Sequence, residues 1–460
     1  MRSVLMVALA VSACAPARAA APPAPGLTYI TVGTDAVRTV LAVEAAHGEV
    51  APILAASGDV ALMAVDPREL DDISQAMHTA HHRCGGYMVH ESLADARAAL
   101  VPAPEGAAIE YSLDRAALVT ATLPKLSAAA IHRTIGELSA MKNRYYRSES
   151  GAAASAWLRD RWRSFSDRSD ITIELFDQGY PQKSVIMTIP GTTKADEVVV
   201  IGGHLDSIAL GGMASDAPGA DDDASGIATL TEVARVLLQS DLRSERTIKF
   251  IAYAAEEVGL RGSLAVVKEF KRRGIHVVGV LQLDMTNYQG SDRDIWLIDD
   301  HTSKPQNAFL VQLLEHYVGA TWGSDRCGYA CSDHASWTQA GIPASMPFEA
   351  RFRDANTQIH SKRDTLERSQ NNANHAVKFA RLATAYAIEL AKSEVAPPAS
   401  AALATADGRS YCDVQPRMCQ AARGHRQRHH RCHHGSGVAG SLAVLFLLLG
   451  AAISRRATAA

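Results

Sequence analysis

The ten residues EVVVIGGHLD, 197–206, open on a β-branched apolar run and close on a histidine and a carboxylate. A run that is apolar on both faces suits a strand buried from both sides, the habit of central strands in α/β sheets. Downstream, residues 224–240 place Ile227, Leu230, Ala234, Leu237 and Leu238 at helical spacing. Residues 247–254 and 277–283 again read as strands. The alternation predicts an α/β fold with a largely parallel sheet. In such sheets ligands gather beyond the carboxyl ends of the strands.

The chemistry-bearing residues fall at those ends. His204 and Asp206 share a face of an extended segment, so the carboxylate can take the ring's second N–H, as carboxylates do for metal-bound histidines. ADDDASG, 220–226, precedes the helix. A helix N-terminus stabilises an acid by a few tenths to about 1 kcal/mol. A cap at Asp223 therefore accounts for one of three adjacent carboxylates, and a cation accounts better for the others. Glu256 and Glu257 follow an apolar strand and point in different directions, so that one can bind metal while the other faces substrate as a general base. Asp284 ends the next strand in the same way. A mixed histidine and carboxylate set suits zinc, and one shared carboxylate permits a pair of ions.

The 460 residues are 47% hydrophobic and 21% charged, a globular composition that excludes a wholly disordered, collagenous or polytopic membrane chain. Seven cysteines in this length exclude a disulfide-dense miniature scaffold. The net charge of −3 hides an asymmetry: eight Arg against two Asp give residues 407–460 a charge of +6, two Arg give residues 1–20 +2, and residues 21–406 carry −11. An acidic body argues against nucleic acid as a partner. Arg2, the apolar residues 4–11 and Ala17-Arg18-Ala19 have the layout of a signal peptide, 1–20. A second cut is offered by Val11-Ser12-Ala13-Cys14, which resembles a lipobox that would leave Cys14 lipidated. Residues 21–111 read as a small α+β unit and a Pro/Gly linker, 112–396 as the main domain, and 397–434 as a linker ending in a basic, His-rich tract. That tract is either a metal-binding segment or a solvated spacer. Residues 435–460 hold a short apolar run before Arg455 and Arg456. The run is slightly short for a membrane span. It resembles the sorting tails of Gram-negative exoproteins, with a permanent anchor as the other reading.

The motifs GGHLDS (202–207), APGADDDASG (217–226), AEEVGLRGS (255–263), LDMTNY (283–288), CGYACSDHASW (327–337) and Ile359-His360 resemble, in order, those of the secreted bacterial leucyl aminopeptidases, which are dizinc exopeptidases. The resemblance spans residues 115–395. It implies a three-layer α/β sandwich with a largely parallel, mixed central sheet, preceded by a small α+β propeptide that assists folding and blocks the site until it is cut off within about residues 100–118. It further implies two Zn2+ ions, one held by His204 and Asp284 and the other by Glu257 and His360, with Asp222 between them. Glu256 would then be the general base acting on a water between the ions, with Asp206 behind His204. Spacing alone gives no reason to single out His360. His334 is not a ligand in this pattern and reads as structural.

Cys327 and Cys331 close a short loop, and in an exported protein a disulfide is favoured over free thiols; the resemblance supports the pairing. By the same comparison Met285, Ile298, Tyr329, Met346, Phe348, Phe352 and Ile359 wall an apolar pocket for a large side chain. Ala355 departs from the family, which often has an aromatic residue there, and so widens the pocket. The expectation is a secreted, monomeric zymogen that hydrolyses Leu-like N-terminal residues from peptides and touches the membrane transiently through its tail. A carboxypeptidase or deacylase of the same fold, a glutaminyl cyclase, and a non-catalytic binding protein are the alternatives.

Overall fold

The computed structural model describes residues 26–396 except 84, 102–108, 210, 212 and 213. The signal segment 1–20 with Cys14, much of the linker, and the expected basic tract and tail within 397–460 lie outside the described residues. Among the described residues, no helix is long and apolar enough to cross a membrane.

Residues 26–101 build β1 (Thr28–Gly33), α1 (Val37–Ala46), β2 (Ile53–Ser57), β3 (Val60–Val65), α2 (Leu70–His81), β4 (Tyr87–His90) and α3 (Leu93–Ala98). The four strands pair antiparallel in the order β2-β3-β1-β4. Ile30, Val32, Met63 and Val65 on the sheet pack against Val40 of α1 and Ile73 and Met77 of α2. This unit has its own small core.

The main domain continues with α4 (Ala116–Thr122), α5 (Ala128–Ser139), α6 (Glu149–Arg163), β5 (Thr172–Phe176), β6 (Ser184–Ile189), β7 (Lys194–His204), α7 (Ala224–Gln239), β8 (Leu242–Ser244), β9 (Arg246–Tyr253), α8 (Arg261–Arg272), β10 (His276–Gln282), β11 (Ile295–Ile298), α9 (Lys304–Leu313), β12 (Trp322–Asp325), α10 (His334–Gln339), β13 (Ala344–Ser345), β14 (Pro347–Phe348), α11 (Ala376–Leu390) and β15 (Ser393–Val395). Six strands form the central sheet in the order β13-β10-β7-β9-β6-β5. The first four are parallel, while β6 and β5 add an antiparallel edge. Along β7, Val199 and Ile201 face α5, α7 and α11, whereas Val198 and Val200 face Val266 and Phe270 of α8 and Trp337 of α10. Each fully buried Val or Ile there stabilises the fold by roughly 1.5–3 kcal/mol. Helices on both faces make the mixed three-layer sandwich that the run at 197–202 calls for.

Candidate active site

The parallel strands β7, β9 and β10 end on one edge, and their carboxyl ends carry His204, the Glu256-Glu257 pair and Asp284. Asp222 arrives from the other direction, two residues before α7. Its position depends on that helix approaching the sheet closely: a Cβ on Gly226 would lie 2.2 Å from the carbonyl oxygen of Leu283. Asp223 caps α7 by accepting from the Gly226 N–H at 2.8 Å, and it also accepts from the N–H groups of His204 and Met285 at 3.0 and 3.1 Å. The cap thus ties together three of the segments that build the site.

His204 Nε2 lies 3.0 Å from Asp222 Oδ1 and 3.5 Å from Asp284 Oδ1. His360 Nε2 lies 3.2 Å from Asp222 Oδ2 and 2.7 Å from Glu257 Oε2. Two three-residue groups result, His204/Asp222/Asp284 and Asp222/Glu257/His360, each with its ligand atoms within 4.8 Å of one another. Asp222 belongs to both, one oxygen to each. All five residues are buried. Despite the short distances, Nε2 of both histidines and both oxygens of Glu257 make no hydrogen bonds. Buried polar atoms without partners are costly, and donor atoms crowded around two common points fit divalent ions.

The electrostatics agree. Burial pushes the Glu256 carboxyl well above its usual range, and Asp333, Glu257 and Asp284 push it the same way. Glu257 is raised to about 7 by burial and then by Asp222. Burial alone would lower the imidazole of His360, but Glu257 and Asp222 draw it up to about 10. A site this rich in buried acid is short of positive charge, which bound cations supply.

Asp206 links the groups. Its Oδ1 stands 3.5 Å from His204 Nδ1, and its two oxygens accept from the N–H groups of Glu256 and Glu257 at 3.1 and 3.2 Å. One carboxylate therefore faces the histidine ring and fixes the turn that carries the adjacent glutamates. Both oxygens of Glu256 are buried and make no hydrogen bond, and the residue belongs to neither three-residue group. Ala255, Met285 and His360, at or beside these positions, adopt positive φ of 55–57°. Such backbone is strained for non-glycine residues and clusters at functional sites.

Beside the centre, Met285, Ile298, Tyr329, Met346, Phe348 and Ile359 form one buried apolar cluster with Phe352 and Ala355 at its margin. Cys327 and Cys331 are bonded to each other within it. His334 is buried outside both three-residue groups, its imidazole lowered to about 3 by burial and by His301.

Several supports carry no local sequence signal. Asp364 is fully buried and accepts from the N–H groups of Asp221 and Asp222 and from Asn356 Nδ2 at 3.1–3.3 Å. Arg144, also buried, donates to the carbonyls of Leu205, Pro218 and Gly219. These contacts hold the loop that presents Asp222.

The N-terminal unit lies over this edge. Ser74 of α2 donates to the carbonyl of Glu257 at 2.8 Å, and the Val89 N–H donates to the carbonyl of Gly259 at 3.1 Å. Gly259 has φ +93°, and a Cβ there would sit 2.7 Å from Tyr87 and Val89. The ring of His78 stands 4.4 Å from that of His360, and the Arg83 guanidinium lies over Tyr329 at 4.8 Å. Tyr145 and Tyr146 donate to Asp71 of α2. A cavity of about 410 Å3 remains between α2 and His360, lined also by Tyr145, Arg147 and Ile208.

The sequence profile of Peptidase family M28 matches residues 184–385. Leucine aminopeptidase 1 of Uncinocarpus reesii is 35% identical over 286 residues, which are 59% of this chain and 71% of that protein. Leucine aminopeptidase 1 of Paracoccidioides brasiliensis is 32% identical over 64% of this chain and 79% of its own length. The LapA aminopeptidase structure from Legionella pneumophila superposes with a TM-score of 0.68 at 30% identity, covering 80% of this chain and 99% of that one. On these matches and the catalytic edge described above, the chain belongs to peptidase family M28, as a metallo-aminopeptidase.

Proposed function

We propose that this chain is an exported zinc aminopeptidase, made latent, that removes Leu-like residues from the N-termini of peptides. The observation that carries the reading is the pair of three-residue groups joined by Asp222 beside a Glu256 that belongs to neither. His204, Asp284, Asp222, Glu257 and His360 would hold two Zn2+ ions, whose charge would polarise the scissile carbonyl and acidify the attacking water. Glu256 takes the proton from that water as its oxygen bonds to the carbonyl carbon, and returns it to the amine nitrogen as the C–N bond breaks. Asp206 keeps the Glu256 backbone and the His204 ring in place while the proton moves. The apolar cluster around Met285, Tyr329 and Phe348 receives the side chain of the residue being removed, and Ala355 leaves its margin open to larger ones.

Residues 26–101 cover the site in this reading, so activity requires their removal by a cut in the linker. Residues 1–20 would direct export, and 435–460 would hold the chain transiently at a membrane before release as a monomer. The test is hydrolysis of leucyl amide, N-acetyl-leucyl amide and a peptide with C-terminal leucine by the trimmed chain. Cleavage of the free-amine substrate alone supports the proposal, whereas cleavage of only the acetylated or C-terminal substrate refutes it in favour of a deacylase or carboxypeptidase.

A further inference from the structure

A histidine and two carboxylates also meet on the N-terminal unit, as a group that shares no residue with the two at the catalytic edge. His47 caps the C-terminus of α1, while Glu69 and Asp72 lie at the start of α2. His47 Nε2 is 2.9 Å from Glu69 Oε2 and 3.3 Å from Asp72 Oδ2, and one ligand atom from each residue lies within 4.8 Å of the others.

A plain ion pair between His47 and Glu69 does not account for the arrangement. The Glu69 side chain is only 8% exposed, and its buried Oε2 accepts no hydrogen bond even though a ring nitrogen is 2.9 Å away. His360 Nε2 and Glu257 Oε2 show the same relationship at 2.7 Å, both without a hydrogen bond. Two such atoms, close together but not hydrogen-bonded, leave a position between them that a shared cation can occupy. The surroundings are rich in acid as well. Glu44, almost fully buried, is raised by burial, against a hydrogen bond it accepts from the Asp66 N–H, with Glu69, Asp66 and Glu49 adding to the rise, while Asp66 is engaged by Arg68. The negative end of α1 points the same way.

We propose that His47, Glu69 and Asp72 form a divalent metal site on the N-terminal unit, separate from the catalytic centre. One imidazole nitrogen and two carboxylate oxygens make a zinc-type donor set. His47 and Asp72 are about half exposed, so water completes the coordination. The ion joins the end of α1 to the start of α2. Because α2 also carries Ser74 and His78 onto the catalytic edge, the ion stiffens the helix that covers it.

The test uses the full chain stripped of metal, dialysed against micromolar zinc and analysed by atomic emission, beside His47→Ala and Asp72→Asn. The catalytic centre and the His-rich tract contribute equally to all three proteins. Each variant is expected to hold one ion fewer than the parent and to lose the rise in thermal midpoint that zinc gives the parent. Both side chains reach the surface, so substitution leaves the core intact. Equal ion counts and equal zinc-dependent shifts in all three would overturn the proposal and leave an ion pair only.

Discussion

The carboxylate of Asp206 accepts from the Glu256 N–H at 3.1 Å while its Oδ1 stands 3.5 Å from the ring of His204. A proposed metal ligand and the proposed proton carrier are thus placed by one side chain. Asp206→Asn keeps the shape but puts a neutral amide where three groups want an anion. Loss of such outer partners typically costs 10–100-fold in metal affinity or activity. The expected result is a fall of that size in kcat for leucyl amide with a smaller change in KM, together with weaker zinc retention on dialysis.

Glu256→Gln separates proton transfer from metal binding. Because Glu256 lies in neither three-residue group, the variant should keep its full metal content. General acid–base contributions are about 10²–10⁴-fold, and kcat should fall by that much. Loss of metal in this variant would show that Glu256 is a ligand instead.

The apolar cluster predicts a size-dependent response. Ile298 is fully buried within it, and Ile298→Phe adds volume where the substrate side chain is expected. Its kcat/KM for leucyl amide should drop at least tenfold while that for alanyl amide changes little. A uniform loss on both substrates would place Ile298 in the core rather than the pocket wall.

The fold and much of the site are legible in sequence because they rest on local patterns. The run at 197–202 reads as a doubly buried strand, and His204, Glu256, Glu257 and Asp284 follow strands directly. Asp223 reads as a cap, although its bonds to the His204 and Met285 N–H groups do not. Asp364 and Arg144 are invisible, since each acts on backbone 61 to 143 residues away and sits in no periodic segment. The antiparallel β5–β6 edge is hidden for a related reason: nothing local distinguishes a strand's direction of pairing.

The proposed latency would rest on the contacts of α2 and β4 with the catalytic edge. If α2 blocks the site, cleavage at a protease sequence placed in the linker should raise leucyl amide hydrolysis by tenfold or more. The excised unit added back should inhibit, and less so as Ser74→Ala, which lacks the bond to the Glu257 carbonyl. Full activity of the uncut chain would remove the blocking role.

The N-terminal unit should also loosen in acid. His90 is buried, 2.8 Å from Thr31 Oγ1, and burial lowers its imidazole from 6.5 to about 4 against a small opposing pull from Asp95. The unfolded chain therefore binds this proton more readily than the folded one. Stability is full above pH 6.5 and is lost as pH falls toward 4, by an amount on the order of 3 kcal/mol for this group. Melting of the full chain between pH 7 and 4 checks this, with His90→Gln expected to flatten the dependence.

Two ions sharing Asp222 would serve one aminopeptidase site. Zinc titration of the metal-free trimmed enzyme, following leucyl amide hydrolysis and bound zinc together, tests it most directly. Two tightly bound ions per chain are expected, with full activity reached at the second and one ion lost in His204→Ala or His360→Ala. Full activity with a single ion, or an unchanged ion count in both variants, would contradict it.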